Sequence, residues 1–255
     1  MASTSSKPLI AITGASTGIG AATAHRFAKE GYPLILFARR LDKLKLLQAQ
    51  LPTEVSIYKL DVGVAEDVAL LMQQIEKEKG PIDLLVNNAG CAFGIEPAYE
   101  SKIEEWQQCI QTNINGLLYC TRALLPSMVS RNRGHIINLG SVAGTYPYPG
   151  GHVYGATKAF VHQFSLNLLA DLLGTQVRVS CIEPGLVEGT EFSIVRFRGD
   201  LERAAKPYEK TQPLRPEDVA EVIYFCYRLP PHVNINTLEM MPVCQAPGPL
   251  LIHRE

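Results

Sequence analysis

Short apolar runs of strand length alternate with amphipathic stretches of helix length along this chain, and that alternation admits few folds. The strand-like runs fall at residues 9–13, 34–38, 56–60, 84–87, 135–139, 177–182 and 236–241, and the helical patterns at 19–30, 43–51, 65–79, 103–130, 152–173 and 217–228. Strands joined through helix-length crossovers cannot pair as hairpins, so they lie parallel, and a parallel sheet needs helices on both faces. The expected fold class is α/β with seven parallel strands. With 46% hydrophobic residues among 255, the chain can fill one core of that size. No internal repeat and no linker interrupts the pattern, so a single domain over residues 9–255 is expected, after a disordered tail at 1–8.

Charge narrows the partners. A net charge of −1 and a pI near 6.6 create no basic field, so neither nucleic acid nor an anionic membrane surface is an expected partner. The apolar stretches are far shorter than a membrane span, and residues 1–8 hold no apolar leader segment, which makes the cytoplasm the expected compartment. The six cysteines, Cys91, Cys109, Cys120, Cys181, Cys226 and Cys244, form no C-x-x-C pair and do not cluster with the histidines. They are expected as reduced thiols, mostly in the core, and no metal site is expected.

The stretch from Ser141 to Lys158 sets a hydroxyl, a phenol and an ammonium at defined offsets. Tyr154 and Lys158, one turn apart in the helical pattern at 152–173, share a face. Ser141 follows the apolar run at 135–139, at a strand's carboxyl end, where open α/β sheets bind ligands. A free phenol titrates near ~10 and is a poor base at neutrality; making it a good one needs about 4 kcal/mol of preferential stabilisation of the phenolate. An adjacent ammonium, helped by a bound cationic ring, favours that form. Tyr154 could then exchange a proton with an alcohol or a carbonyl. Y-x-x-x-K alone is equally the spacing of an ordinary helix pair, so its weight comes from what lies upstream.

Upstream, Thr13-Gly14-Ala15-Ser16-Thr17-Gly18-Ile19-Gly20 joins the first strand to the first helix. Glycines there permit a tight turn and let backbone N–H groups approach a diphosphate at the helix N-terminus. The second strand ends in Arg39-Arg40, where an acid for a ribose 2′-hydroxyl would stand in an NAD site. Two arginines can instead hold a 2′-phosphate, so NADP is the expected cofactor. Asp61-Val62 ends the third strand; the carboxylate is placed either to accept from an adenine amino group or to cap the next helix. Asn87-Asn88-Ala89-Gly90 after the fourth strand suits a turn beneath a bound nucleotide. Asn113, a poor helix former inside the pattern at 103–130, is either bonded locally or holds a water that links Lys158 to solvent.

Taken together, the glycine-rich turn, Asn87 to Gly90, Asn113, Ser141, Tyr154-x-x-x-Lys158 and Pro184-Gly185 resemble the short-chain dehydrogenase/reductase family, nearly end to end. The resemblance implies a Rossmann-type doubly wound sheet and hydride transfer to or from a nicotinamide. It implies Tyr154 as the proton-transferring group, Ser141 orienting the substrate oxygen, Lys158 lowering the phenol pKa and holding the nicotinamide ribose, and Asn113 supporting a relay water. It also places Pro184, Gly185, Val187 and Thr190 at the cofactor. The chain departs from the family where Ser180 replaces a frequent Asn and where Gly189-Thr190 shifts the usual Thr by one position, which leaves the carboxamide contacts of Thr190 open.

Residues 183–192, 195–200 and 229–243 resemble the NADP-dependent 3-hydroxy acid dehydrogenase subgroup, which acts on L-allo-threonine, serine, 3-hydroxypropionate-type acids and malonic semialdehyde. That subgroup implies a homotetramer, with the helices near 103–130 and 152–173 packing across subunits; the Pro-rich tail at 242–255 either covers a neighbour or is a frayed terminus. Residues 186–215 are too long for a plain connection and form a candidate lid. Arg196 or Arg198 in it is the candidate partner for a substrate carboxylate, and His152 either touches substrate or packs at a helix start. Two rival readings remain: a broad NADPH carbonyl reductase with Phe93, Tyr146, Tyr148, Phe192 and Phe197 lining an apolar pocket, and an NADP-binding scaffold without catalysis.

Overall fold

The computed structural model describes residues 7–248. Seven parallel strands, β1 Leu9–Thr13, β2 Leu34–Ala38, β3 Val55–Lys59, β4 Ile82–Asn87, β5 Gly134–Leu139, β6 Val177–Pro184 and β7 Thr237–Met240, form one sheet in the order β3-β2-β1-β4-β5-β6-β7. The chain begins at the centre, winds out to β3, then crosses back to place β4 on the other side of β1. That reversal opens a crevice at the carboxyl ends of β1 and β4, the place where doubly wound sheets receive ligands.

The helices are α1 Gly18–Lys29, α2 Leu41–Gln48, α3 Ala65–Lys79, α4 Ile103–Ile110, α5 Gly116–Ser130, α6 His152–Asp171, α7 Phe192–Arg196, α8 Leu201–Ala205 and α9 Pro216–Arg228. Side chains alternate across a strand, so each one feeds both layers. Ile10 and Ile12 of β1 join Phe27 of α1 and Ile223 of α9 on one face, whereas Ala11 meets the layer of Met72 and Ile75 from α3, Leu124 from α5 and Leu168 from α6. Burying each large side chain of this kind contributes about 1.5–3 kcal/mol.

Every expected strand is present. The helical pattern at 103–130 is not one regular helix: between α4 and α5 the residues Gln111–Asn115 form a π-turn, and Asn113 lies inside it. An extra residue per turn rotates the downstream face, so Asn113 points inward, 2% exposed, instead of continuing the amphipathic stripe. The candidate lid at 186–215 contains α7 and α8, which carry too few residues for a readable period. Its two ends are pinned by a parallel bridge between Val187 and Leu214. Of the expected terminal tails, residues 1–6 and 249–255 lie outside the described residues; the part of the C-terminal segment that is described packs on its own chain, where Gln245 Oε1 accepts from the Leu186 amide at 2.8 Å.

Candidate active site

A cavity of ≈ 820 Å³ fills the crevice, running from Arg39 and Arg40 past the glycine-rich turn to Ser141, Tyr154 and Lys158. The turn is shaped for close approach. Gly14 (φ +63°) has no room for a side chain, since a Cβ would stand 2.9 Å from Ala89 Cα, and Gly18 (φ +57°) faces Thr190. Gly20 does not line the cavity; its absent Cβ would lie 2.5 Å from the Gly14 carbonyl, so it serves the turn and not a ligand. Ser16, Thr17 and Ile19 do line it. Asn88 fastens the turn to the end of β4 by donating to the carbonyls of Thr13 (2.9 Å) and Gly14 (3.1 Å).

At one end, Arg39 and Arg40 both face the cavity. Arg40 reaches Ser16 Oγ (3.3 Å) and Thr17 Oγ1 (3.4 Å) and pairs with Glu191 at 2.6 Å; Lys43 also bonds Glu191, and the two cations hold that carboxyl below its ordinary range. Glu191 was not singled out by sequence; an acid beginning a lid helix is the only signal it offers. Asp61 and Val62 line the cavity, and Asp61 Oδ1 accepts from the Gly63 amide at 2.9 Å, while Val64 occupies the N-cap position of α3 and no side chain caps that helix. The capping alternative is thereby removed.

At the other end, Ser141 lies two residues past β5, its Oγ accepting from the Ala143 amide at 3.1 Å. One turn separates Tyr154 from Lys158 on α6, whose ammonium lies 5.8 Å from the phenol ring centroid. Burial lifts the Tyr154 pKa, and nearby Tyr148 adds to that, while Ser141 and the Arg196 guanidinium oppose it. Burial lowers the Lys158 pKa. In the protein by itself, desolvation of the phenol outweighs the groups that lower its pKa. The cavity also takes in Ala89, Gly90, Pro184, Gly185, Val187 and Thr190.

Two expectations are corrected, and Asn113 is seen bonded locally. Asn87 is turned away from the cavity: buried behind β4, its Nδ2 donates to Thr121 Oγ1 (3.0 Å) and Asn138 Oδ1 (2.9 Å). Arg198 faces outward from the lid in a left-handed conformation (φ 54°) and pairs with Glu96 and Glu105, so it is not placed to receive a substrate carboxylate. The Asn113 side chain bonds neighbouring protein groups: Nδ2 donates to the Cys91 carbonyl (2.9 Å) and to Thr157 Oγ1 (3.0 Å), and Oδ1 accepts from the Cys91 amide (2.9 Å). It ties the π-turn to α6 beside Tyr154.

Arg196 faces inward. Its guanidinium stacks 5.5 Å from the Tyr154 ring centroid and bonds Tyr148 Oη, while Nε donates to the Gly94 carbonyl at 3.2 Å. His152 instead packs at the start of α6, against Trp106 and with Nε2 3.0 Å from Ser101 Oγ. Ser180 bonds buried His135 at 3.0 Å, away from the cavity, so the departure from the family's Asn is a core feature. Among the described residues no group of acidic, His and Cys side chains is arranged to hold a metal.

A crevice with a phosphate cradle at one end and a hydroxyl, a phenol and an ammonium at the other defines a dinucleotide-dependent oxidoreductase. The chain belongs to the short-chain dehydrogenase/reductase family: the family model described as short chain dehydrogenase matches residues 8–199. It is 53% identical over 246 residues to the NADP-dependent 3-hydroxy acid dehydrogenase YdfG of Salmonella typhi, covering 96% of this chain and 99% of that one. A solved structure described as the closed form of serine dehydrogenase complexed with NADP+ superposes with a TM-score of 0.92 at 52% identity, covering 97% of this chain and all of that one. Serine dehydrogenase from Escherichia coli superposes at 0.81, with 47% identity over 93% of this chain and 99% of that one.

Proposed function

We propose that the protein moves a hydride between NADP(H) and the carbinol carbon of a small 3-hydroxy acid of the serine, L-allo-threonine or 3-hydroxypropionate type. The observation that carries this reading is the convergence, in one crevice, of Ser141, Tyr154 and Lys158 with an inward guanidinium, Arg196, while two further arginines line the opposite end. The named activities of the relatives support it.

The residues fit the coenzyme. Backbone at Gly14 to Ile19 suits its diphosphate, Arg39 and Arg40 suit a 2′-phosphate, and Asp61 and Val62 flank the adenine end. When bound, NADP(H) supplies the hydride acceptor or donor. Tyr154 takes or returns the hydroxyl proton, Ser141 orients the reacting oxygen, Lys158 favours the phenolate, Arg196 pairs with the carboxylate, and Asn113 positions the turn of α6 that carries Tyr154. Steady-state kinetics with NADP against serine, L-allo-threonine, 3-hydroxypropionate and simple carbonyls test it; a preference for uncharged carbonyls would favour the broad carbonyl reductase, for which the aromatic lining by Tyr148, Phe192 and Phe197 speaks. A non-catalytic NADP-binding scaffold would survive Tyr154→Phe unaltered.

A homotetramer is part of the proposal, supported by the half-buried Phe160 and Phe164 rings stacked 5.7 Å apart on α6. The single domain with a lid at 186–215 and a cytoplasmic setting complete it, the latter supported by six free thiols.

A further inference from the structure

Two cysteines that the chemistry above does not use hold Asn113 in place. Besides the two bonds to the Cys91 backbone, Asn113 Nδ2 lies 3.3 Å from Cys109 Sγ. Cys109 Sγ donates to the Cys91 carbonyl at 3.4 Å, and in return Cys91 Sγ lies 4.0 Å from the carbonyl of Gln108, the residue before Cys109, so each thiol lies against the other's backbone. The pair lies against the proposed proton path. Cys91, 8% exposed, forms part of the crevice wall, next to Gly90, whose Cβ position would be 3.7 Å from Lys158 Nζ. Cys109, 3% exposed, borders a small void shared with Tyr154.

The thiols are chemically unequal. The neighbouring Cys109 lowers the Cys91 pKa, with Arg39 and Lys158 adding to the effect, whereas Cys109 is pushed up by Cys91 and by burial. Cys91 opens onto the crevice and is the thiol an oxidant there meets; Cys109 waits behind it as a resolving thiol.

We propose that Cys91 and Cys109 are an oxidisable pair whose closure to a disulfide switches the enzyme off by withdrawing the supports of Asn113. The oxidant is a hydroperoxide. Cys91 sulfur attacks the O–O bond, forming a sulfenic acid, and the departing oxygen leaves protonated as an alcohol or water. Cys109 sulfur then attacks Cys91 sulfur; the S–S bond forms and the hydroxyl departs with the Cys109 proton as water. Two thiols lose two electrons and two protons, and the hydroperoxide is reduced by the same two electrons. Closure draws Cys109 Sγ away from Asn113 and shifts the Cys91 backbone that brackets it. The effect on turnover rests on the positioning role assigned to Asn113 above; formation of the bond does not.

The full-length protein is incubated with hydrogen peroxide and mapped by mass spectrometry before reduction. The expected result is a cross-linked peptide pair containing Cys91 and Cys109, a fall in kcat of about tenfold or more, recovery with dithiothreitol, and slower cross-linking when NADP fills the crevice. Cys91→Ser, compared with its own untreated rate, should resist the same treatment, and Cys109→Ala should form no cross-link. Oxidation without a Cys91–Cys109 cross-link overturns the proposal. A cross-link with kcat unchanged overturns the switch and leaves the dehydrogenase reading intact, whereas loss of activity on hydroxy acids before any oxidation would strike that reading instead. The wild-type map decides even if a variant fails to fold.

Discussion

The Lys158 ammonium donates to the carbonyl of Leu139 at 2.6 Å while standing 5.8 Å from the centroid of the Tyr154 ring. The lysine is thereby anchored to the end of β5, and burial acts on the two groups in opposite directions: the phenol goes up and the ammonium comes down. Both shifts favour the neutral forms. A positive nicotinamide ring beside the phenol would reverse the balance for Tyr154. Ultraviolet difference titration of wild type against Tyr154→Phe should therefore show Tyr154 ionising above the ordinary phenol range without coenzyme and well below that point with NADP+. The same substitution should lower kcat by roughly 10²–10⁴ while leaving the Kd for NADPH near its wild-type value; an unchanged kcat would remove Tyr154 from the chemistry.

The two lid arginines should separate cleanly in kinetics. Arg196 faces the crevice, so Arg196→Ala should raise KM for a hydroxy acid about tenfold or more, the scale of a lost charge-assisted hydrogen bond, with little change for an uncharged carbonyl. Arg198 is occupied by Glu96 and Glu105, so Arg198→Ala should alter both substrates alike by loosening the lid. Equal responses to Arg196→Ala would refute a carboxylate contact.

Arg39 faces the crevice and, among the described residues, has no carboxylate bonded to it, unlike Arg40 with Glu191. Arg39→Ala should reduce kcat/KM for NADP by roughly tenfold and leave that for NAD nearly unchanged. Added salt should shrink the gap between wild type and variant for NADP, because the contact is exposed. An unaltered NADP to NAD ratio would assign the 2′-phosphate elsewhere.

The outer clamp of the lid should be acid-sensitive. The Arg198 guanidinium holds Glu96 at about 2, against an ordinary 4.5. A depressed carboxyl stabilises the fold above its unfolded value, and that contribution is lost as pH falls through the folded value. The Tm difference between wild type and Arg198→Ala should therefore be constant above about pH 5 and shrink toward zero as pH approaches about 2. A difference that persists undiminished at the acid end would show that the pair does not carry it.

Much of the site is legible because it is local. The glycines at 14, 18 and 20 announce a strand-to-helix turn, and Tyr154 and Lys158 fall on one helical face whatever surrounds them. Arg39 and Arg40 are legible for the same reason, being fixed by the end of β2. The π-turn at Asn113 is not, because a single inserted residue in a helix leaves no periodic signature in so short a window. Nor is the fate of Asn87 beside that of Asn88: adjacent strand-end residues point to opposite faces, and only the register of β4 against β5 says which amide meets the crevice and which the core.

What the amino-acid order determined by itself is everything set by period and by neighbours along the chain: the seven parallel strands, the cradle, and the offsets of Ser141, Tyr154 and Lys158. What only the tertiary structure decided is which side chains from distant segments share a space: Arg196 inward and Arg198 outward, Glu191 on Arg40, and Cys91 against Cys109. Direction depends on the rotation of short lid helices and on who else competes for each charge, and those are properties of packing in three dimensions that no run of residues encodes alone.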